Sequence, residues 1–466
     1  MLRIETTVKR PHGPPSRREF LRIGSSYLGG LSLAGLLRAQ ASAENHVVKN
    51  RSVVVLNLQG GPTQFETFDP NMQAPTEIRS ITGELRTPLP GVTYGGTLPR
   101  LAALADRLAV VRSYRHGISS HGTAAMHVMA GGNPTGAMMG VLYSQVAGLS
   151  DTESGLPSNV LVTARAMGPE YKELYYNSDR VSQTGTLPAA YKPFDPSAGS
   201  ELVNNMRLRV AGPRLDDRNS LLTQLDTLRR RADANGLATT DRFQQQAFDV
   251  LTRGVGDAFD LSQEDPQTLE RYSTAEFQPT AAVQKRNAYA KQFSPVALGK
   301  QMLLARRLCE AGCGFVTVTC GGWDMHGGGK EFTMADGLAS LTPAVDRAVS
   351  AFIEDLADRR LTDDILLVIT GEFGRTPRIN KNGGRDHWGN QCTLAFAGGG
   401  LPMGQVIGAS DRTGSAPASD PISSENVLAT IMHSLFDVGQ LRLQTGVPAD
   451  VLRIITAGQP IPSLTS

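Results

Sequence analysis

Ile365-Leu366-Leu367-Val368-Ile369-Thr370-Gly371-Glu372-Phe373-Gly374-Arg375-Thr376 decides the fold: six apolar or β-branched residues run straight into a glycine-rich polar turn. Such a run, preceded by a helical pattern over about 336–360, reads as a fully buried strand. The same grammar recurs on either side. Ser52 to Leu58 is an apolar run that opens into Gly60-Gly61-Pro62, and Gly314 to Cys320 opens into Gly321-Gly322-Trp323-Asp324-Met325-His326 after a helix over 296–311. Shorter strands are expected at 108–112, 158–163 and 393–397, the last ending at Gly398-Gly399-Gly400. Helix–strand alternation of this kind predicts an α/β fold: a mostly parallel central sheet with helices on both faces. In such sheets ligands bind beyond the carboxyl ends of the strands. The polar clusters fall there, so one composite site is expected.

Between these units the text changes. Leu221, Leu222, Leu225 and Leu228, then Phe243, Ala247, Phe248 and Leu251, recur at helical spacing, which marks a helical insert at about 213–294. At the other end of the chain, Ser16-Arg17-Arg18-Glu19-Phe20-Leu21-Arg22 is a twin-arginine signature. A broken apolar stretch to Leu37 and Ala41-Ser42-Ala43, a small-x-small cleavage pattern, follow it. The stretch falls short of the roughly 20 apolar residues that span a bilayer. The expectation is an export signal over 1–43, a mature α/β domain over 44–466 with no transmembrane anchor, and a destination in the periplasm or cell envelope.

Removing the signal changes the charge. The chain has 46 Lys+Arg against 44 Asp+Glu, but residues 1–43 hold seven bases and two acids, which leaves 39 against 42, net −3. A nucleic-acid partner draws no support from that balance. Cys309, Cys313, Cys320 and Cys392 form no CxxC pair and read as buried small hydrophobes.

Four clusters can carry chemistry. Thr63, at the strand-to-loop turn, either offers a hydroxyl among backbone N–H groups or caps the following turn. His116, His121 and His127 crowd one short segment; imidazole serves as ligand, acid/base or structural hydrogen bonder, and His121 is the candidate for function. Asp324 and His326 sit two apart on a turn. Glu372 follows its strand, with Asp386 and His387 after a short excursion. Three carboxylates and two imidazoles make a mixed O/N set suited to a divalent metal such as zinc, manganese or calcium. Arg375 is placed either to clamp an anionic group or to pair with Glu372.

The ordered segments GGPTQFETFDP from Gly60, RHGISSHGTAAMHVMAGG from Arg115, GGWDMHGG from Gly321, GEFGRTPRI from Gly371 and GRDHWGNQCTLAFAGGGLPMGQVIG from Gly384 resemble a bacterial family catalogued as domain of unknown function number 1501. That family in turn resembles the alkaline phosphatase–sulfatase superfamily. The resemblance implies a hydrolase of phosphate or sulfate esters on a small-molecule or polysaccharide substrate. Thr63 would stand where the nucleophile does, and Asp324, His326, Glu372 and His387 would hold one or two divalent metals. Arg375 or His121 would steady anionic oxygens. Two positions depart from that pattern: Gln59 stands where an Asp ligand is expected, and Phe373 where a histidine is. A rival reading is an envelope protein that binds an anionic polysaccharide without turnover.

Overall fold

Buried, β-branched runs set the centre of the molecule. A computed structural model describes residues 47–151, 154–171, 179–198, 256–285, 295–328 and 332–465. The expected signal at 1–43 and most of the expected insert, 213–255 and 286–294, lie outside the described residues. The strands are β1 Ser52–Leu58, β2 Glu84–Arg86, β3 Thr93–Gly95, β4 Ala109–Val111, β5 Asn159–Val162, β6 Phe315–Cys320, β7 Ile365–Gly371, β8 Gly374–Arg375, β9 His387–Trp388, β10 Leu394–Gly398 and β11 Gln405–Ile407. Seven form one sheet in the order β11-β4-β10-β7-β1-β6-β5. β1 is parallel to both neighbours and buried at every residue, the pattern of a strand covered on two sides.

Five helices matter for the site and its support: α1 His121–Ala130, α2 Met139–Ala147, α3 Leu298–Glu310, α4 Met334–Asp358 and α5 Ser424–Leu435. Val54, Leu56 and Leu58 of β1 share a core with Leu304 and Leu308 of α3 and Leu341 and Val345 of α4. Strand side chains alternate in direction, so Val53, Val55 and Asn57 face the other layer, where α2 packs on β5 and β6 and α5 on β1. Helices therefore cover both faces, as the alternation in the sequence predicts. Sequence chemistry sets the helix starts: Thr333 Oγ1 accepts from Asp336 N at 3.2 Å, and Ser423 with Asn426 forms a capping box.

Register then delivers the site. Leu58 lies level with Cys320 on one side and Gly371 on the other, so the turns after β1, β6 and β7 leave the sheet side by side. One expectation fails here. β10 runs antiparallel to β7 and β4, so Gly398–Gly400 turns at the opposite edge, where Gly399 N donates to the carbonyls of Thr362 and Ile365. A run of residues cannot state its direction; that depends on the route back, here the β8–β9 ribbon.

What is described of the insert region is helical in short pieces, Gly256–Phe259, Pro266–Tyr272 and Ala281–Lys285. Charge pins it to the domain: Glu264 bridges Arg306 at 2.6 Å and Arg307 at 2.5 Å. All four cysteines are buried and outside any disulfide, and no described helix is long and apolar enough to cross a membrane.

Candidate metal centre

The turn after β6 carries Asp324 and His326, and the turn after β7 carries Glu372, Phe373 and Arg375. Arg375 then pairs with His387 across the β8–β9 ribbon. The fourth contributor is α1, a helix that periodicity did not reveal, whose first residue is His121. One ligand atom from each of His121, Asp324, His326 and His387 lies within 4.8 Å of all the others. His326 Nε2 and His387 Nε2 stand 2.9 and 3.1 Å from Asp324 Oδ1 and 2.8 Å from each other. His121 Nε2 faces the other oxygen, Oδ2, at 3.2 Å.

Each ring's second nitrogen is taken by an acceptor. His387 Nδ1 donates to the Ser119 carbonyl at 3.0 Å, His326 Nδ1 to Asp386 at 2.8 Å, and His121 Nδ1 to Glu372. A carbonyl or carboxylate oxygen can only accept, so these contacts place a hydrogen on each Nδ1, and in the neutral form of the ring, the one a metal binds, Nε2 is the lone pair. With the rings neutral, three imidazole lone pairs converge on one carboxylate. At 2.8 Å at most one of the two facing Nε2 atoms can carry a hydrogen, so a proton satisfies only part of the set. A metal ion accepts from all four, and an oxygen acceptor behind each imidazole is the usual support for metal-bound histidine. Charge agrees: Asp324, Glu372 and Asp386 against Arg375 leave two negative charges, which a divalent cation neutralises. The residues fit a metal.

A family model described as "Protein of unknown function (DUF1501)" matches residues 50–446. The chain belongs to that family. No curated protein matches this DUF1501 chain. Solved structures similar to it include Ps i-CgsB in complex with k-i-k-neocarrahexaose, 10% identical over 83% of this chain and 72% of that one, TM-score 0.34. The PsFucS1 sulfatase from Pseudoalteromonas sp. is 11% identical over 86% and 70%, TM-score 0.35. The phosphonate monoester hydrolase SpPMH from Silicibacter pomeroyi is 11% identical over 89% and 78%, TM-score 0.36.

In the DUF1501 chain, Glu372 and Asp386 are brought to the site as outer partners of His121 and His326, and His121 itself stands in the inner set. Spacing could not separate these roles, because both sets lie on the same turns. The electrostatics follow the geometry. Burial opposes charge on His121, but Asp324 and Glu372 more than offset it and raise the ring to about 9. Asp324 is pulled far below the carboxylate range: burial works against this and is overcome by the three imidazoles and Arg375. Hydrogen bonding to Asp324 also raises His326.

Arg375 is 2% exposed and its donors are all engaged. Nε reaches the Gly61 carbonyl at 2.9 Å, Nη1 that of Arg385 at 3.0 Å, and Nη2 those of Gly60 and Trp323 and the Asp324 carboxylate. Its ion pair is with Asp324 rather than Glu372. Thr63 is buried, and its hydroxyl has no hydrogen-bond partner, so it does not cap the following turn. Its loop is pressed on the cluster: a Cβ on Gly60 would stand 2.5 Å from Asp324 N.

Phe373 floors the site, with its ring 4.4 Å from His387 and 5.1 Å from His121. Gly61, at φ +87°, faces that ring, and a Cβ there would stand 2.5 Å from Cε2. Gly61→Ala therefore combines left-handed strain with overpacking. A loss of about 2–4 kcal/mol is expected in urea denaturation.

His116 and His127 are not members of the cluster. His116 Nδ1 accepts from Ile118 N at 3.2 Å, which leaves its Nε2 as a donor and unsuited to metal. Burial, with His127 nearby, lowers His116 to about 4. Because this lies below the unfolded 6.5, protonation favours unfolding. The stability His116 contributes is whole above about pH 6.5 and is lost as pH falls towards 4. His116→Gln should flatten the acid limb of a stability–pH curve across that window, measured by urea unfolding at stepped pH.

Proposed function

We propose that this protein is an exported, metal-dependent hydrolase of phosphate or sulfate esters. The observation that carries the reading is the convergence of three imidazole Nε2 atoms on Asp324 at the carboxyl end of the central strands. His121, Asp324, His326 and His387 would hold the ion. Bound there, a divalent metal supplies Lewis acidity to an ester oxygen. Three nitrogen donors favour zinc or manganese over calcium, which prefers an all-oxygen shell.

The other residues prepare this set. Glu372, Asp386 and the Ser119 carbonyl fix the imidazoles in one tautomer and orientation. Arg375 ties Asp324 to the Gly60–Gly61 loop. Thr63, on that same loop with an uncommitted hydroxyl, is the proposed attacking group. Export is supported by the Arg17-Arg18 motif and the Ala41-Ser42-Ala43 pattern, and a polysaccharide ester is a fitting substrate for such a location.

The test is metal analysis of protein isolated from its native compartment, followed by turnover on a panel of phosphate and sulfate monoesters, diesters and sulfated polysaccharides. Wild type should carry metal and hydrolyse at least one class. Thr63→Ala should keep the metal and lose at least a hundredfold in rate, whereas His387→Ala should lose both. Absence of metal together with a silent panel rules the reading out. Stoichiometric metal with a silent panel points to the binding protein that was the rival in sequence.

A further inference from the structure

We infer that Asn380 is the positioning residue of the metal ligand His326. Its side-chain amide holds that residue's main chain and the carboxylate behind its ring at once, and so sets the affinity of the centre without touching the ion. The inference rests on the metal reading above. Asn380 lies in the excursion between β8 and β9, outside the clusters that carry chemistry in the sequence.

The amide uses its whole hydrogen-bonding capacity. Oδ1 accepts from Asn382 N at 2.9 Å and from Gly384 N at 3.1 Å. Nδ2 donates to the His326 carbonyl at 3.0 Å and, in a longer contact of 3.4 Å, to Asp386 Oδ1. An asparagine amide offers two acceptor sites and two donor hydrogens, and all are engaged here. Its orientation follows: backbone N–H groups must face the oxygen, and a carbonyl and a carboxylate must face the nitrogen.

The two donor contacts meet at one residue. Asp386 Oδ1 is also the atom that takes His326 Nδ1, at 2.8 Å. Asn380 therefore holds His326 by its backbone directly and by its ring through Asp386. Fixing both ends of a short side chain fixes the direction of Nε2, the atom that addresses Asp324. A ligand constellation works only when such directions are held to within about 10–20°.

The rest of the excursion lies on the turn after β6 through main chain. Arg385 N donates to the Met325 carbonyl at 3.1 Å, and Gly327 bridges Gly383. A Cβ on Gly384 would stand 2.0 Å from His326 C, so the two backbones are in close contact. These contacts seat the loop whatever side chain stands at 380, but none of them reaches the imidazole. Replacing Asn380 should therefore loosen the ligand and leave the loop in place.

The test is zinc affinity of the full chain by chelator competition, in Asn380→Ala and Asn380→Ser. Serine keeps an oxygen that can accept from the N–H two residues on, as in the native turn, but is too short to reach His326 or Asp386. Both variants should lose about tenfold in zinc affinity, the lower end of the range for outer partners of a metal site. Serine should recover no more than about twofold of that. The loss should largely vanish in an Asp386→Ala background, because the two residues act on one ring. The visible band of the cobalt(II)-loaded chain should also shift in Asn380→Ser, as His326 changes its angle to the ion. Full recovery by serine would mean that Asn380 only closes its own loop, which overturns the inference. Wild-type affinity in both variants, or losses that add to that of Asp386→Ala, overturn it too. A wild-type chain that takes up no zinc overturns the metal reading and this inference with it.

Discussion

Asp324→Ala should empty the centre: metal content falls from about one equivalent to near zero, and affinity in a chelator competition drops by well over a hundredfold. Three Nε2 atoms and Arg375 all address this one carboxylate, so its removal deletes a ligand and leaves the imidazoles without a shared focus. Glu372→Gln gives the contrast. Glu372 reaches only His121 Nδ1 and stands behind the ring, so its loss should cost about ten- to a hundredfold in affinity, the range for outer partners of a metal site. If Glu372→Gln proves as damaging as Asp324→Ala, Glu372 is a ligand and the inner set must be redrawn. Stability should fall as well. Without Asp324, the buried Arg375 guanidinium loses its ion pair, and because the lost carboxylate is one-third exposed the cost sits at the lower end for a broken buried pair, about 3 kcal/mol.

The contrast between those two acids also marks how far the sequence could be read. Strand placement was legible because β1, β6 and β7 are buried on both faces and so appear as unbroken apolar runs. Their shared direction followed from the helices between them. The direction of β10 was not legible, and with it the position of Gly398–Gly400, because an antiparallel return through a two-residue ribbon leaves no periodic trace. The site was legible in part for the same physical reason. Asp324, His326 and His387 stand on turns that follow or flank strands, where α/β folds place ligands. His121 belongs to a helix whose residues, His121-Gly122-Thr123-Ala124, give no helical stripe, so its approach from another layer had no local signal. The division of inner from outer partners depends on which imidazole nitrogen faces which oxygen, a matter of tertiary geometry alone.

Arg375→Met should be the most destabilising single change at the site, at about 4–6 kcal/mol in urea denaturation, and it should lose metal although no ligand has been altered. From the turn after β7 the guanidinium gathers carbonyls of the turns after β1 and β6 and of Arg385, and it fixes Asp324 Oδ1 at 2.7 Å. Removing it strands several buried acceptors at about 1–3 kcal/mol each before relaxation. The four side chains of the cluster then rest on loops with no common tie. Arg375→Lys should recover less than half of the loss, because one ammonium cannot reach acceptors spread around a planar fork. A double-mutant cycle with Asp324→Ala should show strong coupling, since the two residues share one contact and one loop network. The opposite outcome is equally definite. If Arg375 were a clamp for substrate anions, as its sequence position allows, Arg375→Met would fold with near-normal stability, bind a full equivalent of metal, and fail only in turnover. Stability and metal content measured on one sample therefore separate a residue that builds the site from one that uses it.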